Sequence, residues 1–396
     1  MSKLSFIVIG ITDSRKGHFS KETENIVSSG SVFSGGRRHY EIVWEILPQN
    51  HRWIEIKVPL SEVFEAYKEE SCEIVVFASG DPLFYGFATT LRREFPDAEI
   101  KVFPEFNSLQ MLAHAVSLPY HDMITVSATG RPWDALDSTL IHGYAKIGVL
   151  TDKTKTPGAI AKRMLEYGYD NYSMIVGENL GNETSQRVVE TDLETAANTS
   201  WQTPNCVILK QLQPRKKYFG IPENLFTHLD NREKMITKMP IRLLSLSMLD
   251  LHNRHTLWDI GFCTGSVSIE AKLQFPHIKV IAFEQREECK AIFEENAHKF
   301  GTPGIETIIG NFLEIDTDSL PKPDAVFIGG HGGHLKEMLA KIREDISKDG
   351  VIVFNSVSKE SLSAFNEGVA EIGMSVVESH EIALDSFNPI TIVKAK

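Results

Sequence analysis

The sequence predicts an α/β protein made of more than one domain. Three observations carry this. Near-continuous apolar runs stop at polar glycine turns, as parallel strands buried on both faces do: Glu73-Ile74-Val75-Val76-Phe77-Ala78 runs into Ser79-Gly80-Asp81-Pro82, and Leu257-Trp258-Asp259-Ile260 runs into Gly261. The second run passes through a two-glycine turn into a helix, Val267 to Leu273. Strand, glycine turn and helix N-terminus is how α/β sheets hold nucleotide-like ligands, because glycine lets the backbone approach and helix-end N–H groups face the ligand. Finally, 396 residues exceed one ordinary domain. The stretch Gln213-Pro214-Arg215-Lys216-Lys217-Tyr218-Phe219-Gly220-Ile221-Pro222 has two prolines, a glycine and three charges, the composition of a linker. The predicted division is 1–212, with subdomains of about 1–118 and 119–212, a linker at 213–222, and 223–396.

In the first part, Ser5 to Gly10 reads as a buried strand, and Gly17-His18-Phe19-Ser20 leads into a helix from Lys21. Val32-Phe33 is a short strand. It precedes Ser34-Gly35-Gly36-Arg37-Arg38-His39, which is either a solvated charged loop or a carboxylate-binding edge, since arginine forks pair bidentately with carboxylates. Trp53 to Val58 is a strand, Ser61 to Glu70 a helix, and Glu73 to Ala78 the strand described above. Pro104 and Pro119 bracket a helix, Ser108 to Ala115. Strand and helix then alternate through Met123–Val126, Trp133–Leu140, Ala145–Leu150, Pro157–Tyr167 and Tyr172–Val176. Strands near Gln186–Glu190 and Cys206–Leu209 close this part, antiparallel.

Beyond the linker, Glu233-Lys234-Met235-Ile236-Thr237-Lys238 precedes a helix ending near Leu251. Lys279 to Phe283 is the second strand of this part. It ends at Glu284, an acid about 20 residues past the turn and so placed to accept hydrogen bonds from ribose hydroxyls. Ile305 to Ile309 ends at Gly310-Asn311-Phe312, and Asp324 to Ile328 empties into Gly329-Gly330-His331-Gly332-Gly333-His334. Val351 to Phe354 ends at Asn355-Ser356, and Ser375–Glu378 with Ile390–Val393 forms a reversed terminal hairpin.

Composition bounds the function. A hydrophobic content of 42% and a charged content of 24% belong to a globular protein, and a net charge of −12 argues against a broad nucleic-acid-binding surface. Cys72, Cys206, Cys263 and Cys289 form no C-x-x-C pair, so neither a disulfide framework nor a thiolate zinc site is expected. The N-terminus runs directly into a strand and no apolar run reaches membrane-spanning length, so the chain is expected to be cytoplasmic and without a membrane partner.

Two resemblances sharpen this reading. The pattern Asp259-x-Gly261-x-Cys263-x-Gly265 resembles motif I of the Rossmann-like methyltransferases that bind S-adenosylmethionine (SAM), with Cys263 where the family usually has glycine. Ser79-Gly80-Asp81-Pro82-Leu83-Phe84-Tyr85-Gly86 resembles the signature loop of the tetrapyrrole (corrin and porphyrin) methylases. Gly35-Gly36-Arg37-Arg38-His39, Asn107-Ser108-Leu109-Gln110, Gly177-Glu178-Asn179-Leu180-Gly181 and Pro204-Asn205-Cys206-Val207-Ile208-Leu209 resemble the C5-methyltransferase branch of cobalamin synthesis.

The tetrapyrrole-methylase resemblance spans roughly 1–212 and implies two α/β subdomains with SAM in the cleft between them. It implies SAM contacts from Gly10, Ser79, Gly80, Asp81, Leu83, Tyr85, Asn107 and Ser108, and corrin carboxylates at Arg37, Arg38 and Arg131. Two departures stand out. Gly10-Ile11-Thr12-Asp13-Ser14 replaces the family's G-x-G-P-G-D, and Ala128-Thr129-Gly130-Arg131-Pro132 keeps the arginine of a common His-Gly-Arg without its histidine.

In the C-terminal part the order Asp259-x-Gly261, Glu284, Gly310-Asn311 and Gly329-Gly330-His331-Gly332-Gly333, preceded by Thr237-Lys238, resembles the decarboxylating C15-methyltransferases of the same pathway. This implies a Rossmann-like class I domain over 223–396, with SAM at Thr237, Asp259, Gly261, Cys263, Gly265, Glu284, Asn311 and Phe312. It also implies Gly330, His331 and Gly332 at the chemistry and Asn355 at the substrate. Together the resemblances imply a bifunctional enzyme with one SAM per half, methylating a small-molecule tetrapyrrole at C5 and C15 and decarboxylating its C12 acetate. The dimerisation common among such methylase domains implies a homo-oligomer.

The chemistry fits the absence of an obvious nucleophile or metal cluster. A ring carbon of an electron-rich tetrapyrrole already attacks a sulfonium methyl group, so the protein need mainly align the reactants and exclude water. His331 and His334 are too few ligands for a metal by themselves, so they are structural in a loop or serve substrate contact or proton transfer. Nothing local would lower the pKa of Cys263 for nucleophilic use. Two other readings stay open. The C-terminal part could methylate RNA or protein, against the acidic charge, or one half could be a SAM-binding scaffold. Cobalt-containing and metal-free substrates are equally compatible with the sequence.

Overall fold

The computed structural model describes residues 4–14, 19–230, 232, 235–384 and 388–396. Gly17, His18, Glu233 and Lys234, in the two lead-in segments above, lie outside the described residues. The chain divides into two compact units, one of 1–131, 144–162 and 171–213, the other of 132–143, 163–170 and 214–396.

The first 115 residues run β1 (Ser5–Ile11), α1 (Lys21–Ser29), β2 (Val32–Gly35), α2 (Arg37–Val43), β3 (Arg52–Glu55), α3 (Leu60–Lys68), β4 (Ile74–Ser79), α4 (Phe87–Glu94), β5 (Glu99–Phe103) and α5 (Ser108–Ala115). The strands form one all-parallel sheet in the order β3-β2-β4-β1-β5. Its middle strands are apolar on both faces because helices cover both: Phe6, Val8, Ile74 and Val76 pack into one layer, and Ile7, Ile9, Val75 and Phe77 into the other. Two expectations are corrected here. Arg37, Arg38 and His39 are not in a loop but form the first turn of α2, whose N-cap is Gly36. The strand expected over 53–58 covers only Arg52–Glu55, because the chain turns toward Pro59 and the start of α3.

The next stretch runs β6 (Ile124–Ser127), α6 (Asp134–His142), β7 (Lys146–Leu150), α7 (Pro157–Glu166), β8 (Tyr172–Glu178), β9 (Arg187–Thr191), α8 (Leu193–Asn198) and β10 (Asn205–Gln211). Its sheet, β6-β7-β10-β8-β9, is mixed: β6 and β7 are parallel, β10 lies antiparallel between β7 and β8, and β9 adds antiparallel to β8. The antiparallel closure matches the expectation.

The second unit contains α9 (Met239–Met248), β11 (Thr256–Ile260), α10 (Ser266–Gln274), β12 (Lys279–Glu284), α11 (Glu288–Phe300), β13 (Ile305–Ile309), β14 (Ala325–Ile328), α12 (Leu335–Asp345), β15 (Val351–Ser356), α13 (Lys359–Glu371), β16 (Val376–Ile382) and β17 (Ile390–Ala395). The sheet order is β13-β12-β11-β14-β15-β17-β16, parallel except for β17, which runs antiparallel to both its neighbours. The chain leaves β11 to one side and returns to β14 on the other. That switch point is where an open α/β sheet holds its ligand. A buried ion pair staples the approach to this sheet. Glu270 on α10 accepts the N–H groups of Gly220 (3.0 Å) and Ile221 (2.8 Å) and meets Arg242 of α9 at 3.3 Å, with both side chains fully buried. Arg242 also donates to the Thr237 carbonyl at 2.8 Å, which fixes the segment before α9. Among the described residues, no helix is long and apolar enough to cross a membrane.

Candidate active sites

In the first unit a cleft of about 530 Å³ opens at the carboxyl ends of β1 and β4. Its floor depends on a close backbone approach. A Cβ on Gly10 would lie 2.0 Å from the Gly80 carbonyl oxygen, and Gly80 itself has φ +60°. Only glycine allows both. Asn107 caps α5 reciprocally with Gln110, each side chain accepting the other's backbone N–H at 3.0 Å. Ser108 follows, its hydroxyl bonded to the Cys206 thiol, which burial pushes up to about 12. That thiol is inert at neutral pH.

Of the residues expected here, Ser79, Gly80, Tyr85, Asn107, Ser108 and Arg38 line the cleft. Gly10 stands behind its wall. Asp81 closes the signature turn by accepting the Leu83 N–H at 2.9 Å, and Leu83 is exposed. Arg38 is held by Asp13 (2.8 Å), while Arg37 points to solvent and pairs with Glu41 (3.4 Å). Arg131 lies 5.1 Å over the ring of Tyr85, a cation–π contact beside the cleft.

His39 is the residue whose role here the sequence did not single out. Its Nδ1 accepts the Gly36 N–H at 3.2 Å, so the ring proton sits on Nε2, which faces Ser79 Oγ at 2.9 Å. Burial, then the Arg38 charge, lowers its pKa to about 4, so it stays neutral at physiological pH. Ser79 Oγ therefore accepts from His39, and its own hydrogen is left to donate into the cleft.

In the second unit two adjoining cavities, of about 460 and 370 Å³, meet at Gly261, Gly330, Met235 and Arg286. Gly261 (φ +83°) is required because a Cβ there would lie 2.7 Å from the Gly330 nitrogen. A Cβ on Gly330 would meet nothing within 4 Å, so that position leaves open room where the cavities join. The larger cavity is lined by Thr237, Lys238, Asp259, Cys263, Thr264 and Asn355, among others. Asp259 is fully buried; its Oδ2 accepts from Ser268 N (3.1 Å) and Ser268 Oγ (2.5 Å), but its Oδ1 has no partner among the described residues. Burial raises its pKa to about 7 against the Ser268 hydrogen bonds, with the Glu284 charge adding to the rise. Thr264 Oγ1 and Asn355 Nδ2 are likewise buried without partners among the described residues, although Asn355 Oδ1 accepts from Ser245 at 3.0 Å. Buried polar atoms left unsatisfied are costly, and three around one cavity point to a polar ligand.

Cys263 adopts φ +48°, a left-handed conformation unusual for a side-chain-bearing residue. Its N–H donates to Glu284 (3.0 Å) and its thiol, raised by burial, to the Met235 carbonyl (3.2 Å). Gly265 packs behind the loop against Phe293. The smaller cavity holds Glu284, Asn311, Phe312, His331 and Gly332. Burial would raise the Glu284 carboxyl, but the Arg286 hydrogen bonds and charge, with backbone N–H groups, bring it below the usual range. His331 Nδ1 accepts the Gly333 N–H at 3.2 Å, so this ring also carries its proton on Nε2, and burial lowers its pKa.

Residues 6–197 match the tetrapyrrole (corrin/porphyrin) methylases, and residues 228–392 match the precorrin methyltransferase domain. A precorrin-6Y C(5,15)-methyltransferase [decarboxylating] of Sinorhizobium sp is 29% identical over 93% of this chain and 89% of its own length. A cobalt-precorrin-6B C(15)-methyltransferase (decarboxylating) of Salmonella typhimurium is 35% identical over 39% of this chain and 79% of its own length. The chain belongs to the precorrin-6Y C5,15-methyltransferase (decarboxylating) family. A crystal structure of a precorrin-6y C5,15-methyltransferase from Geobacter metallireducens is 31% identical, covering 45% of this chain and 96% of that chain, with a TM-score of 0.41.

For a member of this methyltransferase family, the residues not reached from sequence are as informative as those that were. His39 and Asp13 enter the first cleft, and Met235, Lys238, Thr264 and Arg286 the second. Arg286 had a usable signal, two positions past the acid that ends β12. Ile382, Leu384, Asn388 and Pro389, which wall the larger cavity, had none, because only the β15-β17-β16 pairing brings them there.

Proposed function

We propose that this chain is a bifunctional SAM-dependent methyltransferase of cobalamin (corrin ring) biosynthesis. Residues 1–212 methylate C5, and residues 223–396, joined by 213–222, methylate C15 and remove the C12 acetate carboxylate of a precorrin-6Y-type substrate. The observation that carries this reading is that each unit has its own cleft at the carboxyl ends of its parallel strands, lined by polar atoms poised for a ligand. SAM supplies the methyl group in each.

In the second unit Asp259 Oδ1 is suited to a ligand ammonium, and Asn355 Nδ2 and Thr264 Oγ1 offer further polar contacts. Glu284 takes the ribose, and Asn311 and Phe312 border the adenine. In the first unit the Ser79 hydroxyl donates into the cleft, while Arg38 and Arg131, with Arg37 further out, serve ring carboxylates. The substrate carbon is itself the nucleophile, so these residues act by alignment and exclusion of water.

Decarboxylation converts a –CH2–COO⁻ group to –CH3 and CO2 with uptake of one proton, its electrons passing through the conjugated ring. His331, with Nδ1 engaged by Gly333, is placed as an Nε2–H hydrogen-bond donor to substrate. Acting as an imidazolium acid would first require that bond to break. The open backbone at Gly330 and Gly332 leaves room for the macrocycle. The enzyme acts in the cytoplasm on a small molecule, without nucleic acid, and as a homo-oligomer. Titrating SAM into the full chain tests the two-site reading: two equivalents bind if both halves work, and a single equivalent makes one half a scaffold.

A further inference from the structure

Glu284 is already saturated. Its Oε1 accepts from the N–H groups of Gln285 (3.0 Å) and Arg286 (3.2 Å) and from Arg286 Nε (2.9 Å); its Oε2 accepts from Cys263 N–H (3.0 Å) and Arg286 Nη2 (2.8 Å). A carboxylate offers roughly four lone-pair sites, so two incoming hydroxyls find no vacancy. Three of these donors belong to backbone fixed by the strand end and the glycine turn. The other two come from one guanidinium, whose side chain is 22% exposed while that of Glu284 is 2% exposed. The guanidinium is the part that can yield.

Where it would go is also set. Arg286 lines both cavities, and its remaining contact among the described residues, Nη1 to Met235 Sδ at 3.7 Å, is weak. Among the described residues, Lys238 and Arg286 are the cationic side chains lining the larger cavity, and a corrin precursor bears several carboxylates. Arginine pairs with a carboxylate bidentately, so the fork can leave one carboxylate only to be rewarded by another.

We propose that Arg286 is an exchange residue: the ribose diol of SAM takes its two positions on Glu284, and the displaced guanidinium then grips a carboxylate of the tetrapyrrole. This rests on the reading that Glu284 receives the ribose. Its consequence is order and coupling at the C-terminal half. SAM binds first, and substrate tightens SAM by the same factor that SAM tightens substrate. The clamp also guards Glu284, because without SAM the buried carboxylate keeps a cationic partner.

The test is steady-state kinetics of the full chain, following by mass spectrometry only product that has lost CO2, which reports the C-terminal half. Arg286→Met removes the competitor for Glu284 and the grip on substrate. The KM for SAM should fall several-fold and the KM for tetrapyrrole rise about tenfold, the scale of one lost charge-assisted contact. Arg286→Lys keeps the charge but not the fork; it should share the lower KM for SAM and raise the KM for tetrapyrrole by less than Arg286→Met does, and it carries the test if the methionine variant does not fold. A raised KM for SAM in both variants would place Arg286 in the SAM site itself, and unchanged constants would leave it outside both; either result overturns the exchange. Glu284→Gln separates the underlying reading. It should raise the KM for SAM, and if it does not, Glu284 does not hold the ribose, whatever Arg286 does.

Discussion

Asp259 is the residue on which the C-terminal site turns. One of its oxygens is spent on the start of α10 and the other is buried without a partner among the described residues. With a folded pKa near 7, well above that of an unfolded aspartate, the protonated form is favoured by folding. The sign follows: without SAM, the stability it contributes is present below about pH 4 and is lost as pH rises through about 7. Comparing the pH dependence of unfolding with that of Asp259→Asn checks this; the variant should lose that slope. A ligand ammonium favours the ionised form, so SAM affinity at this half should weaken by up to about tenfold per pH unit below 7, and Asp259→Asn should bind weakly with no such dependence. His39 makes the opposite case. Its depressed pKa keeps it neutral above about 4, so its hold on Ser79 should not change between pH 6 and 8. His39→Ala should slow C5 methylation roughly tenfold by releasing the Ser79 hydroxyl, with His39→Gln, which can still donate, recovering part of the loss.

At the scale of elements, the strands were legible and the helices only in part. β4, β11, β12 and β14 announced themselves because burial on both faces demands near-continuous apolar runs. The start of α2 hid behind Gly35-Gly36, which reads as loop, because the helix N-cap is a glycine without a capping side chain. β16 is exposed almost throughout, so its seven residues extend well past the short apolar pair that marked it. The Arg242–Glu270 pair was also invisible, since nothing in the spacing of α9 and α10 places them together. Removing one partner strands a buried charge, so Arg242→Ala should lower the stability of the second unit by roughly 3–5 kcal/mol in urea denaturation. It should also release the backbone at Ile221 and Thr237. Gly261→Ala should abolish C15 methylation while C5 methylation persists, because the new Cβ would collide with the backbone of Gly330.

At the scale of the whole molecule, the loop motifs predicted where each cleft would open, since glycine turns and strand ends are local. Gly80 approaches Asn107, and Gly261 approaches Gly330. What pairs with what inside a cleft was not local. Arg38 was found but not its Asp13, and Glu284 but not the arginine that fills it. The proposed function assigns one methylation to each of the two clefts. The most direct test is mass spectrometry of precorrin-6Y, or its cobalt form, after incubation with the chain and SAM. A product heavier by two methyl groups and lighter by one CO2 is the predicted result, with Gly261→Ala yielding one methyl and no loss of CO2. No change in mass with either substrate would contradict the assignment.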